Sequence, residues 1–307
     1  RGANGVIMVS TKRGRSGVPN ITYNGSEGYQ YVRNNYKLSD ASQYAHLMNR
    51  VAENSGLSQP FSNPDQFGRG TNWMDEITRN GWMRDHQLSV SGGGESIVYN
   101  VSVGYTSQEG IWKNTNYDRW TVRLNNEYKV SPKLTFGHNL ALSLVKTGQG
   151  LSYRMVRSVL SSSPILRPQD DGKWNPMQNN DLINPLAELE LNKDQNHNNL
   201  RFVGNAYLNW EISKSLTLRS SLGDDYNNNY SEVYRPIYNI NPAHQSNPNN
   251  DYQEVYGNIN MWLWENTLNY NKEFNQSNRL NILAGYTMEK NKLRGLGANA
   301  LGYQFYN

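Results

Sequence analysis

Residues 119–128, RWTVRLNNEY, alternate apolar and polar side chains and decide the fold class of this chain. Trp120, Val122, Leu124 and Tyr128 share one parity, whereas the residues at the other parity are charged or polar. Successive side chains of a β-strand point to opposite faces, so this segment has one apolar face and one charged face. The pattern predicts a strand that separates an apolar environment from an aqueous one.

The same alternation recurs along the chain and predicts nine strands. They lie at about 20–32, 86–92, 97–106, 119–128, 134–144, 200–212, 216–222, 252–272 and 280–288. Short connections are predicted at 92–96, 129–133, 213–215 and 272–278, and long ones at 33–85, 107–116, 147–199 and 237–251. Because short and long connections alternate, every tight turn lies at one end of the sheet. Outer-membrane barrels have this asymmetry, so we expect a transmembrane antiparallel β-barrel with its long loops outside.

The composition is consistent with a barrel and excludes several other classes. Only 36% of the residues are hydrophobic, the mean hydropathy is −0.81, and Tyr (21) and Trp (8) outnumber Phe (6). Amphipathic rings suit a membrane–water boundary. No stretch approaches the roughly 18 apolar residues of a membrane helix. The net charge of +4 comes with no long basic run, and cysteine is absent. We therefore expect no nucleic-acid partner, no disulfide scaffold and no thiolate metal site.

One helix is predicted in the first long loop. Asp40 is a suitable N-cap, and Tyr44, Leu47, Met48 and Val51 have the spacing of one helical face.

Two strands depart from simple alternation. His138 shares the parity of the apolar residues in its strand, and a bulge at Gly137 is the predicted explanation. In the strand at 252–272, Ile259, Met261 and Leu263 are out of phase with Trp264, so its alternation is the least regular of the nine.

Several segments resemble one family. Residues 1–14, RGANGVIMVSTKRG, are similar to the end of the plug domain in SusC/RagA-type TonB-dependent outer-membrane transporters. Residues 86–93, HQLSVSGG, with Tyr99 to Tyr105 and QEGI at 108–111, resemble that family's first barrel hairpin. The segments DRW at 118–120, WENTL at 264–268 and LAGY at 283–286 resemble later strands and fall in the right order.

The resemblance implies a plug inside a 22-stranded barrel in the outer membrane of Bacteroidota. It implies import of oligosaccharides or peptides, a SusD-like lipoprotein over the outside, and energy from TonB–ExbB–ExbD through an N-terminal part that is missing here. Residues 1–15 would end the plug domain, and residues 16–307 would form the N-terminal part of the barrel, in contact with outer-membrane lipid. The start at Arg1 without Met, together with an odd number of strands, leads us to expect a fragment.

Candidate ligand-binding residues are three aromatic side chains on the predicted outer loops: Trp112, Trp174 and Tyr238. They stand among Asn, Gln and Asp, so ring faces and hydrogen-bonding groups could together hold a sugar or a peptide. The alternative is that these rings pack within the loops or contact the SusD-like lipoprotein.

Catalytic and metal-binding patterns are not found in the sequence. Asp170-Asp171-Gly172 has the composition of a turn, and Asp224-Asp225 is predicted at the outer end of a strand. The histidines are scattered and no nucleophile motif is present, so we expect neither an enzyme nor a cofactor.

Two other functions stay open at this point. One is a surface receptor or adhesin that holds a ligand without transporting it. The other is a soluble carbohydrate-binding β-sandwich, whose strands also alternate faces but are usually shorter.

Overall fold

The computed structural model describes residues 14, 16–33, 36–148, 150, 152–275 and 278–302. Its main feature is one sheet of nine strands. These strands are β1 (Gly17–Gln30), β2 (Gly81–Gly93), β3 (Ile97–Glu109), β4 (Asn116–Ser131), β5 (Leu134–Thr147), β8 (Gln195–Ser213), β9 (Leu216–Arg235), β12 (Asp251–Asn275) and β13 (Asn278–Leu301). Two small hairpins lie in the connections: β6 (Gln169–Asp170) with β7 (Lys173–Trp174), and β10 (Tyr238–Asn241) with β11 (Gln245–Asn247).

The sheet is an antiparallel meander in which each strand pairs with the next main strand along the chain. This confirms the nine predicted strands and their order. The connections alternate as predicted: β2 and β3 are joined by residues 94–96, β4 and β5 by 132–133, and β8 and β9 by 214–215. A single continuous sheet is not a pair of sheets packed face to face, so the sandwich alternative is wrong.

The strands grow longer along the chain. β2 and β3 have 13 residues each, whereas β12 has 25 and β13 has 24. At about 3.3 Å per residue, the longest strand reaches about 80 Å, which is more than a tilted strand needs to cross a bilayer. The last four main strands therefore extend well past the height of the first ones.

Register gives the sheet two chemically different faces. Trp120 on β4 lies opposite Tyr105 on one side and Leu144 on the other, and Leu144 lies opposite Leu200. We call this surface the outer face. Its apolar band includes Val103, Tyr105, Trp120, Val122, Leu124, Leu140, Leu142, Leu144, Leu200, Phe202, Leu208, Trp210, Leu218 and Leu222. The opposite surface, which we call the inner face, carries Arg123, Asn125, Glu127, Asn139 and Asn205.

The hydrophobic core lies in the connections and not against the sheet. A buried cluster contains Trp73, Met74, Ile77, Met155, Val159, Met177, Leu182, Ile183 and Leu189. Among the described residues, Tyr207 and Val233 are the only buried hydrophobic residues in the nine main strands. In water, the nine strands would therefore gain little stability from the burial of their own hydrophobic side chains.

Three helices contribute to this cluster: α2 (Trp73–Ile77), α3 (Tyr153–Ser161) and α4 (Pro185–Leu191). Helix α1 (Ala41–Asn54) packs beside a 3-10 turn at Pro64–Phe67. We call the described parts of residues 31–80, 110–115, 148–194 and 236–250 the loop cap, because all four connections lie at the end of the sheet opposite the tight turns. Within the described ranges, no helix is long and apolar enough to cross a membrane.

The predicted helix α1 and its N-cap are confirmed. Asp40 caps the helix by accepting from Gln43 N at 2.8 Å. Leu47 and Val51 are 51% and 47% exposed, whereas the buried residues are Ala41, Ala45 and Asn49. The small residues let the following loop approach closely, and Asn49 fixes that loop through two hydrogen bonds to the Phe61 backbone, at 2.6 and 3.0 Å.

The predicted bulge at Gly137 is wrong. The β4–β5 register runs without a break from Tyr117 to Lys129, so Gly137 stands directly opposite Glu127. His138 lies on the apolar outer face beside the Phe136 ring, with centroids 6.2 Å apart, and its Nε2 is 3.3 Å from the Asn126 side-chain amide.

Strand β12 keeps a regular register although its apolar alternation changes phase. It pairs with β9 without a register shift, so Ile259 and Leu263 lie on the inner face while Trp264 lies on the outer face. Asp224 and Asp225 stand in the middle of β9 and not at a strand end. The predicted plug segment, residues 1–15, lies outside the described residues apart from Gly14.

Candidate functional site

The outer face exposes large apolar side chains in adjacent rows. Trp120 is 52% exposed, Leu144 47% and Trp210 45%, although each lies within a regular strand that is paired on both sides. An apolar surface spread over several strands is too large to be left in water by a soluble protein. This face therefore fits an apolar environment such as the hydrocarbon of a bilayer.

The inner face is polar and carries its own network. Tyr207 is buried, and its hydroxyl donates to Glu127 Oε2 at 2.7 Å. The Arg219 guanidinium lies 4.0 Å from the centre of the Tyr207 ring. Gly137 stands opposite Tyr207, and a Cβ added there would come within 2.4 Å of Tyr207 Cζ. Glycine at 137 thus leaves room on the inner face for the Tyr207 ring.

Trp112 lies at the edge of the loop core. Its backbone forms a bridge to Thr78, and Lys113 N donates to Ile77 O at 2.9 Å. The ring packs against the buried cluster and lines a pocket of about 230 Å³ between the end of β1, α2 and α3. Arg33 and Tyr36 also line this pocket and add a positive charge and a second aromatic ring. The pocket can hold a small ring-shaped or apolar group.

Trp174 belongs to the β6–β7 hairpin, where it pairs with Gln169. The turn between these strands is Asp171-Gly172, with φ of 47° and 77°, which confirms turn chemistry for this acidic segment. Trp174 is half-buried.

Tyr238 lies in β10 beside a group of charged side chains. Burial raises the pKa of Glu188 on α4, and the positive charges of Arg154 and Arg235 oppose that rise. Burial also raises the pKa of Tyr238, and the negative charge of Glu188 adds to the effect. Arg154 is held by a 2.9 Å bond to His244 O, and Arg235 by a 2.7 Å ion pair with Asp251. Tyr238 is therefore a neutral phenol next to a partly buried carboxyl group.

The three candidate aromatic residues thus occupy three different parts of the loop cap. A residue that the sequence did not single out, Asn184, ties the parts that hold Trp174 and Tyr238 together. Asn184 is fully buried and caps α4 by accepting from Ala187 N at 3.1 Å. Its Nδ2 donates to Pro168 O at 2.7 Å and to Asn175 O at 2.9 Å, and its backbone exchanges two bonds with the Gln245 side chain. Asn184-Pro185 has the form of an N-cap followed by proline at N1, which is a signal present in the sequence.

Metal-binding groups are not assembled in the part of the chain that the structure describes. No group of three His, Asp or Glu side chains there is close enough to hold an ion. Asp225 instead forms an ion pair with Arg201 at 2.8 Å, and Asp224 accepts from Asn260 at 3.0 Å.

Comparison with known proteins gives one consistent result. The chain is 27% identical over 310 residues to TonB-dependent receptor P26 of Formosa agariphila, a match that covers 98% of this chain. It is 29% identical over 254 residues to TonB-dependent receptor SusC of Bacteroides thetaiotaomicron, covering 74% of this chain. The chain is similar to TonB-dependent receptors. No family model matches the sequence.

The fold of this receptor-like chain is also that of a solved structure. The structure of the RagAB peptide transporter superposes with a TM-score of 0.81 over 99% of the chain, at 20% identity. The match covers 38% of that transporter chain, 31% of receptor P26 and 24% of SusC. The chain therefore spans less than a third of the length of these two relatives. The predicted resemblance and the partial antiparallel barrel wall are confirmed.

Proposed function

We propose that residues 16–307 form the N-terminal part of an outer-membrane barrel that imports oligosaccharides or peptides. The observation that carries the proposal is the contrast between the two faces of one sheet. Trp120, Leu144 and Trp210 are exposed on the outer face, while Glu127, Arg201 and Asp225 lie on the inner face. A wall between lipid and a polar interior needs this arrangement.

The relatives support the finer parts of the proposal. Receptor P26 and SusC are both named TonB-dependent receptors, and RagAB is described as a peptide transporter. We therefore propose energy coupling through TonB–ExbB–ExbD, a SusD-like lipoprotein over the loop cap, and residues 1–15 as the end of a plug domain. Trp112, Trp174 and Tyr238 are proposed to contact the ligand or the lipoprotein from the loop cap. The receptor contributes binding and gating, with no bond chemistry.

The test follows labelled cargo into living cells. A strain lacking the gene, a strain lacking TonB and a strain restored with the full-length gene are given fluorescent oligosaccharides and peptides. We expect uptake only where both the receptor and TonB are present, with the receptor in the outer-membrane fraction. Binding to the cell surface with normal uptake in the TonB-deficient strain would favour a receptor or adhesin without transport. Recovery of the receptor from the soluble fraction would contradict the membrane assignment.

A further inference from the structure

Three cations follow one another on the outer face of β13. Lys290, Lys292 and Arg294 occupy alternate positions of this strand, so their side chains lie on the same side of the sheet. Lys290 stands opposite Trp262 of β12, which shares the parity of Trp264 on the outer face. All three cations are exposed. We call Lys290, Lys292 and Arg294 the basic stripe.

The basic stripe directly continues the apolar band. On the same face, the preceding positions of β13 are all apolar or aromatic: Leu280, Ile282, Ala284, Tyr286 and Met288. The Tyr286 ring packs edge-on against Trp264, with centroids 6.3 Å apart. Because β13 begins at the tight turn after β12, its cationic part lies toward the loop cap. The outer face of β13 therefore changes from apolar to cationic in one step, on the side of the long loops.

The height of the basic stripe matches that of lipid head groups. On β12, the outer-face rings Trp262 and Tyr270 are eight residues apart, which is also the spacing of Trp120 and Tyr128 on β4. Eight residues of a strand tilted by about 40° rise about 20 Å along the membrane normal, and two residues rise about 5 Å. The head groups occupy about 5–8 Å beyond the hydrocarbon on each side. Since Lys290 stands opposite Trp262, the basic stripe crosses this layer.

Carboxylates do not neutralise the basic stripe within the described part of the chain. No ion pair there includes any of its three side chains. Asp224 lies on β9, two strands away, and accepts from Asn260 at 3.0 Å. Glu254 on β12 lies farther toward the loop cap and accepts from the Tyr230 hydroxyl at 2.9 Å. Glu289 precedes the stripe on β13, but its parity places it on the inner face.

Three like charges on one face repel one another. Neighbouring members of the basic stripe are two residues apart, which is about 7 Å, and their repulsion grows as the surroundings become less polar. Two residues above Trp120 on β4, by contrast, Asp118 stands opposite Lys146 of β5, so charges of opposite sign face each other. Among the described residues the basic stripe has no such partner, and it presents its charge to whatever surrounds the barrel.

We infer that the basic stripe binds the phosphate group of a glycolipid, while the apolar residues that precede it on β13 contact the acyl chains of the same molecule. Lysine and arginine form charge-assisted hydrogen bonds to phosphate, and cations beside an apolar surface attract anionic lipids. Because the stripe lies on the side of the long loops, the lipid belongs to the outer leaflet, where phosphorylated glycolipids are found. The inference rests on the proposed function for the assignment of the outer face to lipid.

The test measures lipid binding to the purified full-length receptor in nonionic detergent by native mass spectrometry. The probes are monophosphoryl lipid A and the same lipid without its phosphate, with inorganic phosphate as a competitor. A triple variant, Lys290→Gln with Lys292→Gln and Arg294→Gln, removes the basic stripe, and Lys292→Arg keeps its charge. Arg123→Gln is the matched control for Lys292→Gln, because it removes one exposed cation from the inner face.

We expect the unchanged receptor to bind monophosphoryl lipid A more tightly than the phosphate-free form, a comparison that does not depend on any variant. Each cation should contribute about fivefold, so Lys292→Gln should weaken binding about fivefold and the triple variant about a hundredfold. Lys292→Arg and Arg123→Gln should bind as the unchanged receptor does. Inorganic phosphate should not displace the lipid, because it has no acyl chains to contact the apolar band.

Equal affinity of the unchanged receptor for both forms of lipid A, full binding by the triple variant, or an equal loss in Arg123→Gln would overturn the inference. It would also be overturned if the triple variant kept its lipid but released a second receptor copy or the lipoprotein, because the basic stripe would then be a protein interface.

Membrane location and import are judged separately. We expect the triple variant in the outer-membrane fraction with TonB-dependent uptake intact. Phosphate-independent lipid binding by a receptor that is recovered from the outer membrane contradicts the basic stripe alone. TonB-independent uptake, or recovery of the unchanged receptor from the soluble fraction, contradicts the proposed function.

Discussion

A charge placed in the middle of the apolar band tests the membrane assignment most directly. Trp120 and Tyr128 are eight residues apart on β4 and lie on the outer face with Leu124 halfway between them. At about 3.3 Å per residue and a tilt of about 40°, they are about 20 Å apart along the membrane normal. Leu124 therefore lies about 10 Å from each ring, close to the bilayer midplane. We predict that Leu124→Arg lowers the free energy of unfolding by about 2–4 kcal/mol.

Two further substitutions test how the loss depends on the depth of the residue in the membrane and on the face of the sheet that it occupies. Leu144→Arg changes a residue level with Trp120 near the boundary, and the expected loss is about 0–1 kcal/mol. Asn125→Arg changes the neighbour of Leu124 that faces the polar interior, and the expected loss is below about 1 kcal/mol. The assay is denaturant unfolding of the full-length receptor in phospholipid vesicles, followed by tryptophan fluorescence. For each variant, the slope of the unfolding free energy against denaturant concentration is checked, because a changed slope would mean a changed unfolding transition. Equal losses for Leu124→Arg and Asn125→Arg would refute the assignment of the outer face to lipid.

Four other substitutions test the interior network and the loop cap. Gly137→Val should cost about 1–3 kcal/mol, because its side chain would collide with the Tyr207 ring, and the same vesicle unfolding assay measures this. Ile77→Ala should cost about 2–5 kcal/mol within the loop cap; limited proteolysis should then cut the loops faster, with the outer-membrane amount unchanged. Asp40→Ala should cost about 1 kcal/mol, seen as faster hydrogen exchange across α1. Glu188 has a folded pKa above its ordinary 4.5, so its ionisation should weaken the loop cap as pH rises from about 4.5 through that folded pKa. Glu188→Gln should remove this pH dependence, and an identical pH profile of proteolysis in both proteins would exclude the effect.

The nine-strand sheet could be predicted from the sequence because the alternation within each strand shows which side chains face the apolar side and which face the polar side. In β4 the alternation around Trp120 and Leu124 comes from the two environments on either side, and no distant contact is needed to interpret it. The same reasoning failed at His138, because its environment depends on a neighbour across the sheet. Gly137 makes room for Tyr207, which is 70 residues away in sequence, and only the register shows this pairing.

The loop cap was less predictable because its contacts are long-range. The buried side of α1 is set by the close approach of the next loop and by the Asn49 bonds to Phe61, not by the apolar periodicity of Leu47 and Val51. Helices α2, α3 and α4 have five to nine residues, which is too short for a periodic signal. Trp112 is prominent in the sequence, but its packing depends on buried residues from two other connections, 31–80 and 148–194.

The absence of a dry core behind most of the described wall has a consequence for how such proteins diverge. Fluid hydrocarbon chains adapt to any apolar outline, so a leucine, valine or phenylalanine on the outer face can replace another without a matching change elsewhere. Close-packed positions such as Tyr207 over Gly137 lack that freedom, because a change in one requires a change in the other. Sequence drift should therefore accumulate fastest on the lipid side while the architecture stays fixed. The same fold is found at 20% identity in a solved structure, with a TM-score of 0.81, so this architecture does not require a particular set of outer-face side chains.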